Sequence, residues 1–282
     1  MTEIPETTGE FTASDGVNIF WRHFEAEPER ARMLIVHGLG EHSGRYGNVI
    51  ERVVPKGISV WAPDHRGHGQ SGGRRGHVLK FDQYLADLEM TTDLVKKEMP
   101  GQMPCFLLGH SMGGLIALCF AQRHPEKIDG VVASSPLLGM VVEIPAIKKI
   151  LGTLMSYVWP GLTMGNELDA AEISRDAKVV STYRDDRLVH DRVSARLFTE
   201  LLDAMASANR QVATLQVPVL MQVAGEDYLV SSEASRRFFE NLVQGDRMLH
   251  VYDGMYHEVY NAPADQKERV LDDLEAWLED HL

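Results

Sequence analysis

Pro104-Cys105-Phe106-Leu107-Leu108-Gly109-His110-Ser111-Met112-Gly113-Gly114-Leu115-Ile116-Ala117-Leu118-Cys119-Phe120-Ala121-Gln122 reads as a buried strand, a sharp turn and a buried helix. The apolar run Cys105–Leu108 has the length and character of a strand covered on both faces. From Met112 to Gln122 the residues are apolar almost all round, the pattern of a helix with no solvent face. Between strand and helix, Ser111 stands in the pattern G-x-S-x-G, where glycines allow the tight backbone contacts of a strained turn. A strand running straight into such a turn presents the serine hydroxyl at the strand's carboxyl end, as a nucleophile elbow does.

Working outward, comparable runs recur at Met33–Val36, Ile58–Ala62, Ile128–Ala133, Val217–Val223 and Met248–Tyr252. Helical patterns separate them. Phe81, Tyr84, Leu85, Leu88, Thr92, Val95 and Met99 share one face, as do Val270, Leu271, Leu274, Trp277 and Leu278 in a last helix that Pro263 opens as an early helical residue. Strands alternating with helices predict an α/β fold, a mostly parallel, doubly wound sheet. Ser14-Asp15-Gly16 predicts a turn within an antiparallel hairpin, Gly9 to Phe24, at the sheet edge. From about Pro136 to Ala206 the strand signal lapses, and Ile144–Met155, Asp169–Tyr183 and Val193–Ala206 read as helices. The expected organisation is a core over 1–135 and 207–282, interrupted by a helical cap at 136–206 over the strands' carboxyl edge, where open α/β sheets bind ligands.

A second G-x-S-x-G occurs at Gly69-Gln70-Ser71-Gly72-Gly73. It follows a loop rich in glycine and charge and precedes Gly73-Arg74-Arg75-Gly76, so Ser71 reads as a flexible loop serine. Ser111 needs an imidazole to take its proton and a carboxylate to orient that imidazole. Where the serine sits on such an elbow, the chain order is serine, acid, histidine. His124 lies too close to the elbow helix, His190 falls in the cap, His250 inside a strand and His281 at the tail of the last helix. His257, in the loop after the last strand, is the expected base. Asp227, Glu226 and Asp253 compete as its partner; Asp227 is favoured because Tyr228-Leu229-Val230 leads from it into the next helix. Two backbone N–H groups must face the developing oxyanion, each contributing about 3–4 kcal/mol. Met112, following the nucleophile, and Leu39, in the glycine-rich loop His37-Gly38-Leu39-Gly40, are the expected donors, with His37 organising that loop. His65 and His68 have no further ligands at suitable spacing, so no metal is expected.

Several of these strings together resemble the monoacylglycerol lipase and lysophospholipase group of the α/β-hydrolase superfamily. They are His37-Gly38-Leu39-Gly40-Glu41-His42-Ser43-Gly44-Arg45-Tyr46, Asp64-His65-Arg66-Gly67-His68-Gly69-Gln70-Ser71, Leu108-Gly109-His110-Ser111-Met112-Gly113-Gly114, Gly225-Glu226-Asp227 and Tyr256-His257-Glu258-Val259. The resemblance covers nearly the whole core and implies an α/β-hydrolase fold with an inserted helical cap. It implies a serine esterase that cleaves a monoacylglycerol to glycerol and a fatty acid through an acyl-enzyme, without a cofactor. It further implies that Glu41 and Arg45 organise the polar end of the pocket around glycerol; an ion pair supporting the loop is the alternative. Lysophospholipase, broad carboxylesterase and non-catalytic ligand receptor on the same fold are the competing readings, whereas enzymes with a carboxylate nucleophile are excluded by Ser111.

In the cap, Ile144, Ile147, Ile150, Leu151, Leu154, Met155, Val158 and Trp159 form a broad apolar helix surface. Ile147, Leu151 and Leu154 are expected to line an acyl-chain tunnel or to touch a membrane or micelle, each buried methylene contributing about 0.8 kcal/mol. The 282 residues carry 44% hydrophobic and 24% charged residues, ordinary for a globular chain. The net charge of −13 would repel phosphates, which argues against nucleic-acid partners. Cys105 and Cys119 lie in apolar segments and read as reduced thiols. No basic, apolar leader opens the chain and no apolar run is long enough to span a bilayer, so a cytoplasmic protein is expected.

Overall fold

Every residue of Ala31–Val36 is buried, and its successive side chains enter two different cores. Leu34 and Val36 pack on one face and Met33 and Ile35 on the other, the two-residue period of a strand with helices on both sides. In the computed structural model, residues 4–99, 101, 103–141, 145–166 and 168–282 are described, apart from the side chains of Ala146 and Lys148. Ile144 lies outside the described residues.

The strands are β1 (Thr7–Thr12), β2 (Asn18–Phe24), β3 (Ala31–Val36), β4 (Ile58–Pro63), β5 (Cys105–His110), β6 (Gly130–Ser134), β7 (Thr163–Gly165), β8 (Arg192–Ser194), β9 (Val219–Ala224) and β10 (Arg247–Tyr252). The helices are α1 (Gly47–Val53), α2 (Asp82–Glu98), α3 (Met112–Arg123), α4 (Ala146–Val158), α5 (Ala177–Asp185), α6 (Ala195–Arg210), α7 (Ser232–Glu240) and α8 (Ala264–Glu279). Eight strands form one sheet in the order β1-β2-β4-β3-β5-β6-β9-β10. From β4 to β10 every neighbouring pair is parallel. The expected hairpin sits at the edge, with Thr7 opposite His23 and Thr12 opposite Asn18, and β2 joins β4 antiparallel. The chain is thus an α/β-hydrolase fold, mostly parallel and wound on both faces.

Helices α1 and α8 cover one face, through Val49, Ile50, Val270, Leu274 and Trp277. The other face is covered by α2, α3, α6 and α7, through Leu88, Leu115, Ile116, Leu201 and Phe238. Leu115, Ile116, Leu118 and Phe120 of α3 have no exposed surface, and burying each contributes about 1.5–3 kcal/mol. From β3 the chain turns one way to β4, then returns to place β5 on the other side of β3. The loops after β3 and β5 therefore part at a topological switch point, which opens a crevice beyond their carboxyl ends.

The segment between β6 and β9 carries α4, β7, α5, β8 and α6. Four details differ from the expected pattern. A two-stranded antiparallel pair, β7 with β8, ties the segment together, and Val193 belongs to β8 rather than to a helix. The stretch Asp169–Tyr183 divides into a single 3₁₀ turn and α5, with Asp169 and Asp176 capping them separately. Helix α6 continues past residue 206 to Arg210 and packs into the core. Pro263 is the extended residue before α8, not a helical one. Among the described residues no helix is long and apolar enough to cross a membrane.

Candidate active site

Ser111 caps α3 at φ 54° and ψ −119°, a conformation that L-residues adopt only under constraint. Neighbouring backbone supplies the constraint: Ser111 N–H donates to Ser134 O at 3.0 Å, and Leu137 N–H donates to Ser111 O at 2.9 Å. A Cβ on Gly113 would stand 1.9 Å from the carbonyl oxygen of Val36, so only glycine lets α3 start this close to β3. The elbow read from the sequence is therefore present in form as well as pattern, with Ser111 partly exposed at its tip.

Asp227 follows β9 and His257 follows β10, so both stand at the same carboxyl edge as Ser111. Nδ1 of His257 donates to Oδ2 of Asp227 at 2.7 Å. The other carboxylate oxygen accepts the N–H groups of Leu229 at 2.9 Å and Val230 at 3.0 Å. The residues that follow Asp227 thus fold back to fix it, which the competitors lack: Glu226 pairs with Arg175 on the surface and Asp253 is exposed. Burial alone would raise Asp227, yet His257 and the two N–H donors hold its carboxyl below the usual range. Burial alone would lower His257, yet Asp227 raises it above an ordinary imidazole. Because Nδ1 is committed to Asp227, Nε2 is the free ring nitrogen. The His257 ring lies 4.6 Å, centroid to centroid, from that of His110, the residue before Ser111. In this state Ser111 Oγ and His257 Nε2 do not hydrogen-bond to each other; such contacts often tighten only when substrate binds.

The loop after β3 packs onto the elbow, where a Cβ on Gly38 would stand 3.3 Å from the Cβ of Ser111. Among the described residues, neither Leu39 N–H nor Met112 N–H donates to another group. Glu41 and Arg45 lie in a buried network beside this loop. Glu41 Oε1 accepts Gly38 N–H at 2.6 Å and Tyr46 O–H at 2.7 Å, and Arg45 pairs with both Glu41 and Glu258. Tyr46, Tyr183 and Glu258 were not assigned from sequence; a charged residue directly after His257 was the available signal. Ile147, Leu151 and Leu154 lie on α4 and are 76, 57 and 56% exposed.

Ser71 is a correction. It is 5% exposed, donates to Asp64 O at 2.6 Å and accepts Phe20 N–H at 2.8 Å. It pins a loop to the edge hairpin instead of flexing. His37 accepts the N–H of His65 at 2.9 Å and so organises the loop, as expected. No group of three or more His, Cys, Asp or Glu among the described residues is arranged to hold a metal.

His37, His65, His68 and His110 are fully buried, and burial holds His37 and His110 at about 4 and the other two well below an ordinary imidazole. Between roughly pH 6.5 and 4 the unfolded chain binds protons at these positions and the folded chain does not, so stability falls as pH falls. Each contributes up to about 1.4 kcal/mol per pH unit within that window. Urea midpoints are expected to be lower at pH 5 than at pH 7.5; equal or higher values at pH 5 would contradict this.

With this geometry in place, comparison with known proteins gives a consistent result. The model of the family "serine aminopeptidase, S33" matches residues 27–264. Monoacylglycerol lipase of Mycolicibacterium smegmatis is 34% identical over 278 residues, covering 96% of each chain. Phospholipase YtpA of Bacillus subtilis is 30% identical over 92% of this chain and 99% of its own. The crystal structure of Paleococcus ferrophilus monoacylglycerol lipase superimposes with a TM-score of 0.85 at 34% identity, over 99% of this chain and 100% of that one.

Proposed function

We propose, from the premise that this chain belongs to the serine aminopeptidase S33 family and is a serine hydrolase, that it hydrolyses monoacylglycerols to glycerol and a fatty acid. The observation that carries the chemistry is the Asp227–His257 pair, 2.7 Å apart, with its free imidazole nitrogen on the same sheet edge as strained Ser111. His257 Nε2 takes the Ser111 proton as Oγ attacks the ester carbonyl. Negative charge gathers on the carbonyl oxygen, and the uncommitted N–H groups of Leu39 and Met112 receive it. His257 then gives its proton to the departing glycerol oxygen, leaving an acyl-Ser111 ester. Water, deprotonated by the same nitrogen, attacks that ester; the fatty acid leaves and Ser111 regains its proton. No step calls for a cofactor.

The inserted segment, 136–206, serves in this reading as the cap that receives the acyl chain. Its support is the outward apolar surface of α4, where Ile147, Ile150, Leu151, Leu154 and Val158 are all exposed. A lipid surface or a bound chain would cover them, and the free buried thiols Cys105 and Cys119 fit a reducing, cytoplasmic setting. The 30% likeness to a phospholipase favours a second reading, a lysophospholipase.

One panel of esters tests head group and chain together. Monoacylglycerol is expected to exceed lysophosphatidylcholine in kcat/KM by about tenfold or more, a difference of roughly 1.4 kcal/mol in transition-state binding. The reverse ratio would establish the phospholipase reading. Leu154→Asp is expected to lower turnover of long-chain esters about tenfold while sparing acetate esters. Equal losses on both would remove α4 from chain recognition.

A further inference from the structure

We propose that Arg45 is a positioning residue that locks the oxyanion loop to the segment carrying His257, and that it is not a ligand for the glycerol head group. The inference rests on the roles of Ser111, Asp227 and His257 proposed above.

The contacts form a continuous chain. Nη1 of Arg45 donates to Oε2 of Glu41 at 2.8 Å, and Nη1 and Nη2 grip the two oxygens of Glu258 at 2.5 and 2.8 Å. Glu258 is the residue after His257. The other oxygen of Glu41 takes the N–H of Gly38, the residue before Leu39. One guanidinium therefore joins, through two carboxylates, the backbone that offers an oxyanion donor and the backbone that offers the base. The planar fork matters here, because it fixes direction as well as distance.

Burial and space separate this role from head-group binding. The side chains of Arg45, Glu41 and Glu258 are 9, 5 and 6% exposed, and the Tyr183 ring of α5 covers the guanidinium at 4.7 Å. The cavity beside the network, lined by Glu41, Tyr46, His110, Glu258, Tyr260 and Asn261, holds about 10 Å³. That is room for one water molecule and not for a triol. Two carboxylates around one cation also leave negative charge near His110 and His257, which favours the imidazolium formed as Ser111 loses its proton.

The test uses Arg45→Lys, which keeps the charge but loses the fork, and Glu258→Gln, which keeps the shape but loses the charge. A misplacement of catalytic groups by about 1 Å costs on the order of a hundredfold, so kcat is expected to fall about tenfold to a hundredfold on monoacylglycerol and on 4-nitrophenyl acetate alike, with KM nearly unchanged. In Glu258→Gln the acid limb of the kcat/KM profile is expected to move to lower pH, as the imidazolium loses a neighbouring carboxylate. A rise in KM confined to monoacylglycerol would make Arg45 a head-group ligand and overturn the proposal. So would unchanged kcat with only a lower melting temperature. If Arg45→Lys does not fold, Glu258→Gln is read against the same outcomes. Covalent labelling of wild-type Ser111 by a fluorophosphonate distinguishes the two levels. If Ser111 labels and both variants behave as wild type, only the locking role falls; if Ser111 does not label, the site assignment falls with it.

Discussion

Ser111→Ala is expected to lower kcat for ester hydrolysis by about a millionfold, the loss seen when the nucleophile of a triad acting as a unit is removed. The protein should nonetheless fold as before. Ser111 Oγ makes no hydrogen bond among the described residues, so its removal orphans no buried partner. The backbone at φ 54° is held by the hydrogen bonds with Ser134 and Leu137, neither of which involves the side chain. Circular dichroism melts within a few degrees of wild type, combined with loss of turnover, would confirm a chemical defect. Turnover within about tenfold of wild type would mean that another group attacks the ester, since the residual catalysis of triad-less enzymes is far smaller.

Asp227→Asn should be nearly as damaging, about ten-thousandfold in kcat. The amide oxygen can still accept from Leu229 and Val230, which preserves the turn. Its NH₂ group would then face Nδ1 of His257 and require that nitrogen to accept. The proton moves to Nε2, and the nitrogen facing the serine is no longer a base. In wild type, Asp227 raises the His257 pKa above 6.5, so kcat/KM should fall as pH drops through that raised value. Asp227→Asn removes the raising charge and should shift the remaining activity's acid limb to lower pH. An unchanged acid limb, with activity intact, would assign the base or its partner elsewhere.

The elbow was legible because three independent signals coincide within one short stretch: a strand, a glycine-flanked serine and an apolar helix. Ser71 carries the same five-residue pattern without the flanking elements, and in the fold it is Ser111 that stands between a strand and a helix. Its description as flexible failed, because the partners that bury it, Phe20 and the carbonyl of Asp64, are supplied by tertiary contact with the edge hairpin. Asp227 was favoured over Glu226 on sequence grounds, but the physical reason, two N–H groups curling back onto the carboxylate, exists only in the folded turn. Helix α1 escaped notice because a stretch of seven residues shows less than two turns of periodicity. The pair β7–β8 is shorter still, three residues each, and is defined by pairing rather than by composition.

The apolar helix α4 marks the clearest limit. Ile147, Leu151 and Leu154 announce a face that avoids water, but periodicity does not say whether that face meets the protein, a ligand or a lipid surface. The structure turns these residues outward and buries Ser156 on the other side. Similarly, Glu41 and Arg45 were recognisable as a charged pair within one loop, while their third partner, Glu258, lies 213 positions from Arg45. Only the fold closes that distance.

The most direct test of the account is to treat the folded protein with a fluorophosphonate and map the adduct by mass spectrometry. The result expected is a single phosphonylated residue, Ser111, formed rapidly in wild type and lost when His257 is replaced by Ala. An adduct on Ser71 or any other residue, or a folded protein whose Ser111 stays unmodified, would contradict the convergence of serine, imidazole and carboxylate on which every step depends.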